Sequence, residues 1–554
     1  MVYLKKEIDG ELFERLLLSG AAKLESKVDE VNELNVFPIP DGDTGENMYM
    51  TIKGGVDKMV QEKATTVTDK ASALAEGMLL NARGNSGVIL SQLFFGLAEG
   101  LKGKTVATLG EFAKAMGCGV KRAYSSVVHP VEGTILTVAR EAVEKSCEKI
   151  NPEMNLDGFF KDFLTEMKIS LDNTPELLAS LKESGVIDSG GAGLVYIVEG
   201  FYKAIMGEDV VSETAATVDT TKSTLDFSKF TADSEMEFGY CTELLLQLQN
   251  SKVDVDEFSV QTIIDYLNTL GDSIVAFKTG SIIKMHVHTM TPWKVLEFCQ
   301  RFGEYLSVKI ENMTLQHNES VKEKEEPKKK IKRARRKYAL VTVASGDGLV
   351  EMFKELGADY VINGGQTNNP SSEDFIEAFD EVNADNIFVL PNNGNIVLTA
   401  KQAASIYTDS KVIVIESKNI GQGYSALSML DYSVDDVEKI KEQFISDMQG
   451  VTTGMLTTAI RTTTVNGLSI KKGDYIGFTD HVMLVANADK CIAIKELVDK
   501  ICQDKSFLIV IYGAGTSEEQ ALEIERYANS KYPNIEVYLT NGGQDVYDYI
   551  LITE

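Results

Sequence analysis

The sequence predicts a multidomain chain of mixed class: an all-α domain first, a small α+β domain next and an α/β domain last. Three observations predict it. Apolar residues keep a helical period up to about residue 205 and then give way to short β-rich runs. Two polar or charged stretches, 206–232 and 316–337, interrupt the pattern. The 554 residues, at roughly 150 per domain, leave room for three or four cores.

In residues 1–205, Leu12, Leu16, Leu17 and Leu24 recur near a 3.6 period, as do Met48, Ile52, Val56 and Met59, and then Val88, Leu90, Leu93, Phe94 and Leu97. Gly, Pro, Asn and Asp cluster between these runs, at 35–47, 81–87, 129–133 and 185–193. No strand is expected here, and the glycine-rich loops can gather at one end of an all-α domain. Residues 206–232 are polar without a period and read as a linker. Across 233–315, strands at Cys241–Leu248, Ser273–Lys278, Ile282–Thr289 and Leu306–Asn312 alternate with helices at Val260–Leu270 and Pro292–Phe302. The order βαββαβ predicts a ferredoxin-like sandwich. The charge run within 316–337 reads as a solvated linker, with an acidic or nucleic-acid partner patch as the alternative. Residues 338–554 alternate strands such as Tyr338–Val343, Ile387–Leu390 and Phe507–Ile511 with helices such as Glu373–Val382 and Val437–Met448, which predicts a largely parallel sheet. Asn363-Gly364-Gly365-Gln366 returns as Asn541-Gly542-Gly543-Gln544, either an echo of duplicated β–loop units or chance.

Composition narrows the functional classes. A formal net charge of −28 argues against nucleic acid as a main partner, because a phosphate backbone would be repelled. Cys118, Cys147, Cys241, Cys299, Cys491 and Cys502 are scattered without a CxxC pair, which fits reduced thiols. No apolar stretch reaches the length of a membrane span, and the charged start lacks a signal core, so a cytoplasmic protein is expected.

Four loops carry candidate chemistry. In Asn35-Val-Phe-Pro-Ile-Pro-Asp41-Gly-Asp43-Thr44-Gly45-Glu46-Asn47-Met48, two prolines stop the preceding helix, and two carboxylates sit in a glycine-punctuated loop before the next one. Hard oxygen ligands spaced in this way suit Mg²⁺, which is usually held by one or two carboxylates plus substrate phosphates. The plainer alternative is a capping loop with Asp43 or Thr44 as N-cap. Asn81-Ala-Arg83-Gly84-Asn85-Ser86-Gly87 opens an amphipathic run, and its small residues let backbone N–H groups approach a phosphate; the alternative is an ordinary interhelix turn capped by Ser86. His129-Pro-Val-Glu132-Gly133-Thr134 and Asp188-Ser189-Gly190-Gly191-Ala192-Gly193 open two more helices. A ring of four such helix starts is a sensible anion site.

These four segments, in this order, resemble the nucleotide-binding (DhaL-type) domain of the dihydroxyacetone kinase family, and the set is closest to the ATP-binding component of the bacterial fatty acid kinases. The resemblance covers the whole chain. It implies a helical barrel over 1–205 whose rim binds Mg²⁺ and ATP. By position, Asp41 and Asp43 match the catalytic metal-binding aspartates. Asn35 stands nearest to a third aspartate that the dihydroxyacetone kinases carry. Thr44, Gly45, Asn47, Met48, Gly84, Asn85, Ser86, Gly87, Thr134, Asp188 and Gly190 are implied to contact the nucleotide. The implied activity is phosphorylation of a fatty acid presented by a separate DegV-like carrier protein, giving an acyl phosphate for phospholipid synthesis. The 338–554 domain is implied to dock that carrier, and Gly364–Asp374 is loosely similar to a segment of DegV-type fatty-acid-binding proteins; a loop capped by Ser372 fits the same residues. The family tends to dimers, so a homodimer is expected, with the middle domain as interface.

The middle domain holds its own constellation. His286 and His288 lie two apart on a predicted strand. In a ferredoxin-like sheet the first and third strands are neighbours, so Cys241 and Glu243 can face them. Cys241, His286 and His288 form a candidate Zn²⁺ set, against a polar sheet face without metal. Two other functions remain open at this level: a dihydroxyacetone-type kinase acting on a small hydroxyketone, for which no matching substrate histidine is found, and a non-enzymatic nucleotide-binding scaffold.

Overall fold

The computed structural model describes residues 5–35, 42–63, 65–208, 240–255, 257–279, 281–312, 335–366, 368–430, 436–465, 467–480 and 482–554. Asp41 therefore lies outside the described residues, as do the side chains of Cys241, Glu243, His286 and His288. The chain forms two compact units. One combines residues 1–217 with 332–554, and the other is the intervening 218–331.

The first half of the larger unit is a ring of helices: α1 (Gly10–Glu25), α2 (Val28–Glu33), α3 (Thr44–Gln61), α4 (Val67–Leu80), α5 (Gly84–Gly100), α6 (Leu109–Ser126), α7 (Ile135–Glu148), α8 (Leu156–Asp172), the short α9 (Thr174–Leu177) and α10 (Ala179–Ser184), and α11 (Ser189–Met206). Each long helix packs on the next, and α11 returns to pack along α1, closing the ring. Leu12, Leu16, Leu24, Met48, Ile52 and Met59, all expected on inward faces, are buried. Phe159 stacks on Phe163 with centroids 5.9 Å apart, and Phe160 meets Phe201 edge-on at 6.4 Å. Burying each such ring is worth roughly 1.5–3 kcal/mol, so this aromatic cluster anchors the closure. The expectation of no strand needs one correction. Glu7–Ile8 (β1) and Ala107–Thr108 (β2) pair antiparallel, tying the start of the chain to the turn before α6. A two-residue ladder leaves no periodicity to read.

The smaller unit runs β3 (Tyr240–Leu248), α12 (Gln261–Leu267), β4 (Gly271–Thr279), β5 (Ile282–Thr289), α13 (Pro292–Cys299) and β6 (Gly303–Asn312). Its sheet has the order β4-β5-β3-β6, with every neighbouring pair antiparallel. Leu244, Leu246, Ile283, Met285 and Val287 bury one face against Ile263, Leu267, Val295 and Cys299 of the two helices. The register sets Cys241 opposite His288 and Glu243 opposite His286.

The C-terminal half contains two sheets. β7 (Arg336–Ala344), β8 (Tyr360–Asn363), β9 (Ala384–Leu390) and β10 (Lys411–Val414) are parallel in the order β10-β9-β7-β8. Residues 339–344 of β7 are all buried, as a strand covered on both faces must be. β11 (Thr452–Thr458), β14 (Tyr475–Thr479), β15 (Val482–Asn487), β16 (Phe507–Tyr512), β17 (Glu536–Asn541) and β18 (Tyr549–Thr553) form the second sheet, in which only β16 and β17 pair in parallel. The expected largely parallel sheet thus holds for the first sheet only. Thr463–Val465 (β12) and Leu468–Ile470 (β13) form a hairpin; the sequence carries Asn466-Gly467 between them, a hairpin signal that argues for antiparallel pairing. The chain passes from β7 to β8 on one side and then to β9 on the other, so a crevice opens at the carboxyl ends of these strands. The loops leaving β8 and β9 occupy that end and face the helical half.

Candidate functional site

Four helix starts meet at one chamber. Thr44 and Asn47 of α3, Asn85 and Ser86 of α5, Thr134 and Ile135 at α7, and Asp188–Gly190 at α11 line a cavity of about 1240 Å³. Three of the four, unlike the other long helices, lack a side-chain bond from their own N-cap residue; α11 is capped by Asp188. Asp9, Thr66, Thr108 and Asn155 accept hydrogen bonds from the first turns of α1, α4, α6 and α8. The N-cap residues of α3, α5 and α7, which are Asp43, Arg83 and Thr134, make no side-chain cap bond. At α3 the Gly45 N–H is taken by Asn32 Oδ1 at 2.7 Å, and at α7 the Ile135 N–H is taken by Asp188, so the start of α5 is the one left open to an anion, aided by the helix dipole. The capping alternatives for Asp43, Thr44 and Ser86 are therefore not what the fold uses.

Asp43 turns its carboxylate to the junction with the C-terminal half, where Oδ2 accepts from Asn369 Nδ2 at 2.5 Å. Burial pushes its pKa up to about 7, opposed by a hydrogen bond from Asn47 and aided by the charge of Glu46. Asp188 serves two helices at once. Its carboxylate accepts from the Gly191 N–H at 2.6 Å and from the Ile135 N–H, and burial lifts its pKa to about 6. Asn35 is held in place: its Oδ1 accepts from the hydroxyls of Thr44 at 2.8 Å and Ser189 at 3.3 Å.

Other expected residues lie beneath the chamber rather than on its wall. Gly45 packs so that a Cβ would stand 2.4 Å from the Val28 carbonyl oxygen. Gly84 has φ +57°, and a Cβ there would meet Asn47 Nδ2 at 2.6 Å, so only glycine fits. Gly87 is buried against Thr51, and Met48 is fully buried in the helical core. Glu132, in the third loop, accepts from Thr137 and pairs with Arg140 at 3.0 Å.

The sequence reading missed the opposite wall. Gln366, Asn393, Asn395, Lys418, Asn419 and Gln422 come from the carboxyl ends of the parallel strands. The halves are joined by buried polar contacts. Arg83 Nη1 donates to the Asn369 carbonyl at 2.8 Å, Arg83 bridges Ser371 in antiparallel fashion, and Ser372 N–H donates to the Ala82 carbonyl at 3.3 Å. Ser371, not Ser372, caps the helix that follows, in a capping box with Asp374. Both Asn-Gly-Gly-Gln loops reach one small cavity at this end of the sheets: Gly364, Gly365 and Gln366 line it from one side and Gln544 from the other. Among the described residues, the lining of the large chamber carries the carboxylates of Asp43, Glu183, Asp188, Glu416 and Asp480 against the single cation Lys418. A polyphosphate entering it needs added positive charge.

A helical ring that gathers four helix starts and several carboxylates around one chamber, joined to an α/β half, defines a multidomain protein with one large polar site. Comparison with known proteins makes this specific. A DAK2-domain profile matches residues 38–203, and two FakA-like fatty acid kinase profiles match the middle domain over 237–320 and the C-terminal domain over 339–554. The chain is 38% identical to Protein YloV of Bacillus subtilis (strain 168) over 99% of its own length and 100% of the relative's. It is 36% identical to an uncharacterized protein of Staphylococcus aureus (strain USA300), with the same shares covered. The chain belongs to the FakA-like fatty acid kinase family. Among solved structures, a fatty-acid-binding DegV-family protein from Thermus thermophilus matches with a TM-score of 0.31 and 13% identity, covering 39% of this chain and 99% of that one. The dihydroxyacetone kinase of C. freundii, solved with AMP-PNP and Mg²⁺, matches with a TM-score of 0.28 and 15% identity, covering 34% and 33%. Among the described residues, no helix is long and apolar enough to cross a membrane.

Proposed function

We propose that the chain is the ATP-dependent component of a kinase that phosphorylates the carboxylate of a fatty acid held by a separate DegV-like carrier protein, yielding an acyl phosphate for phospholipid synthesis. The observation that carries this reading is the chamber itself, in which four helix starts, that of α5 open, and the Asp43 carboxylate face a space large enough for a nucleotide and a second group.

The residues fit a divalent cation. The buried amide oxygens of Asn85 and Asn369 have no hydrogen-bond partner, Asp43 carries a carboxylate made costly by burial, and the lining is acidic. Asp43 and Asp41 are the proposed metal-binding pair, the latter from its place in the sequence. Mg²⁺ bound there would neutralise the phosphate oxygens during transfer. The open amides of α5 beside Asn85 and Ser86, with Thr44, Thr134 and Gly190, receive the phosphates. Asp188 holds the starts of α7 and α11 together, and Asn35 orients Thr44. A fatty acid carboxylate is ionised at neutral pH, so no general base is needed. One of its oxygens bonds to the γ-phosphorus, the bond from that phosphorus to the bridging oxygen breaks, and the electron pair leaves with ADP.

The reading extends to the rest of the chain. The helical domain is taken as 1–205, the middle domain as 233–315 and the C-terminal domain as 338–554, with linkers between them. The βαββαβ order and the order β4-β5-β3-β6 support a ferredoxin-like middle domain. The register that sets Cys241 beside His288 supports a Zn²⁺ site with His286. The middle domain is the proposed homodimer interface, and the C-terminal domain the docking site of the carrier. A cytoplasmic location follows from the demand for ATP.

The test is ATP turnover by the full chain with a long-chain fatty acid, with and without a DegV-type carrier. Turnover that requires both supports the proposal. Turnover with dihydroxyacetone alone points to a small-hydroxyketone kinase, and turnover with neither points to a nucleotide-binding scaffold.

A further inference from the structure

We propose that Asn369, carried by the C-terminal half, is a ligand of the cation site on the helical half, so that the site is assembled from both ends of the chain. The inference rests on the nucleotide reading above and deepens it.

Asn369 is 2% exposed. Its position is fixed from several sides. The Asn369 carbonyl oxygen accepts from Arg83 Nη1 at 2.8 Å, and two residues on Ser371 bridges Arg83 and opens a helix with its capping box. The side chain reaches Asp43, donating from Nδ2 to Oδ2 at 2.5 Å. The other atom of the same amide, Oδ1, is buried without a partner. An unpaired buried acceptor is a standing penalty in a residue held this firmly.

A cation at Oδ1 removes that penalty. Nδ2 keeps its bond to Asp43, so the amide oxygen and the Asp43 carboxylate lie close enough to share one ion. The amide carries an orphan acceptor without the cation and is satisfied at both atoms with it. A second orphan oxygen, Asn85 Oδ1, stands at the adjoining start of α5. These neutral amide oxygens add to the carboxylates of the proposed metal-binding pair. Mg²⁺ accepts a mixed set of carboxylate, amide and phosphate oxygens.

The full-length protein tests this without turnover. Calorimetry measures the Mg²⁺ dependence of binding of a nonhydrolysable ATP analogue, and thermal melts measure the rise in Tm produced by Mg²⁺. Asn369→Leu removes the oxygen, whereas Asn369→Asp replaces it with a charged one. A ligand role predicts opposite shifts. The leucine variant loses about tenfold or more in Mg²⁺ affinity and gains less Tm from Mg²⁺ than wild type, while the aspartate variant gains more. If the leucine variant fails to fold, the sign of the aspartate variant's shift decides. A role limited to donating to Asp43 predicts that both variants move the same way, and that result overturns the proposal. So does unchanged Mg²⁺ affinity in Asn369→Leu while Asp43→Asn abolishes it, an outcome that leaves the nucleotide reading standing. Wild-type protein lacking any Mg²⁺-dependent nucleotide affinity overturns both.

Discussion

Gln92 Nε2 donates to Gln402 Oε1 at 2.8 Å across the junction of the helical and C-terminal halves, and both side chains are almost wholly buried. Gln402 spends its own amide donors on the Leu79 carbonyl at 2.8 Å and the Ser372 hydroxyl at 3.3 Å. Arg122 completes the chain of contacts by donating to Gln92 Oε1 at 2.9 Å. One side chain from the helix Val397–Ile406 thus ties α4, α5 and the first residue of the helix Ser372–Val382 together.

Replacing Gln402 by leucine leaves the Leu79 carbonyl and the Gln92 donor buried without partners. The expected loss is about 1–3 kcal/mol. Calorimetry should show a lower melting temperature, with the helical half and the C-terminal half tending to separate into two transitions. A melt identical to wild type counts against the junction as a stabilising contact.

Asp43→Ala should abolish phosphoryl transfer and Mg²⁺-dependent nucleotide binding while leaving the far-ultraviolet circular dichroism unchanged. Its side chain makes no cap bond to the first-turn amides of α3, so the helix start does not depend on it. Asp41→Ala should behave in the same way. Near-normal activity in either variant removes that residue from the metal-binding pair.

Asp188 gives stability a distinct pH dependence. Burial raises its folded-state pKa to about 6, above the roughly 3.9 of an unfolded aspartate. The folded state therefore holds the proton more tightly. The contribution of this group is most favourable below about pH 4, declines as pH rises to about 6, and is flat beyond. Asp188→Asn keeps an acceptor for Gly191 and removes the titration. The urea midpoint of the variant relative to wild type, measured without nucleotide or divalent cation, should climb between pH 4 and pH 6 and then level off. A difference that stays constant with pH contradicts this.

Gly84→Ala places a side chain at φ +57° and 2.6 Å from Asn47 Nδ2. The backbone term alone is about 1–2 kcal/mol, and Asn47 must also shift. Both the denaturant midpoint and nucleotide affinity should fall, since Asn47 and the α5 start share the chamber wall. Gly117, where a Cβ would meet nothing within 4 Å, is the control and should tolerate alanine with little change.

Much of this architecture was legible in the sequence. The ring helices announced themselves through periodic leucines and methionines, and the four loops through glycine beside Asp, Asn, Ser or Thr, because open helix starts require small residues. The middle unit could be read element by element, since alternation along β3 and β5 matches a sheet with one covered face. The second C-terminal sheet was not legible as antiparallel: runs such as Phe507–Ile511 are equally apolar in either pairing, and only the short Asn-Gly turn pointed the other way. The junction of the two halves was hidden for a different reason. Asn369, inside the Gly364–Asp374 segment, and Gln402 are single amides whose meaning depends on packing against residues some 300 positions away, which no local pattern encodes.

The larger unit is built from two stretches of chain, 1–217 and 332–554, with another compact body spliced between them. Its assembly therefore has a schedule. As the polypeptide leaves the ribosome, the helical ring emerges with one flank lacking its cover, and that flank waits until the C-terminal half has been synthesised. Excising 218–331 and joining the cut ends with a flexible tether of glycine and serine should spare this body and shorten the wait, because closing a shorter loop costs less entropy.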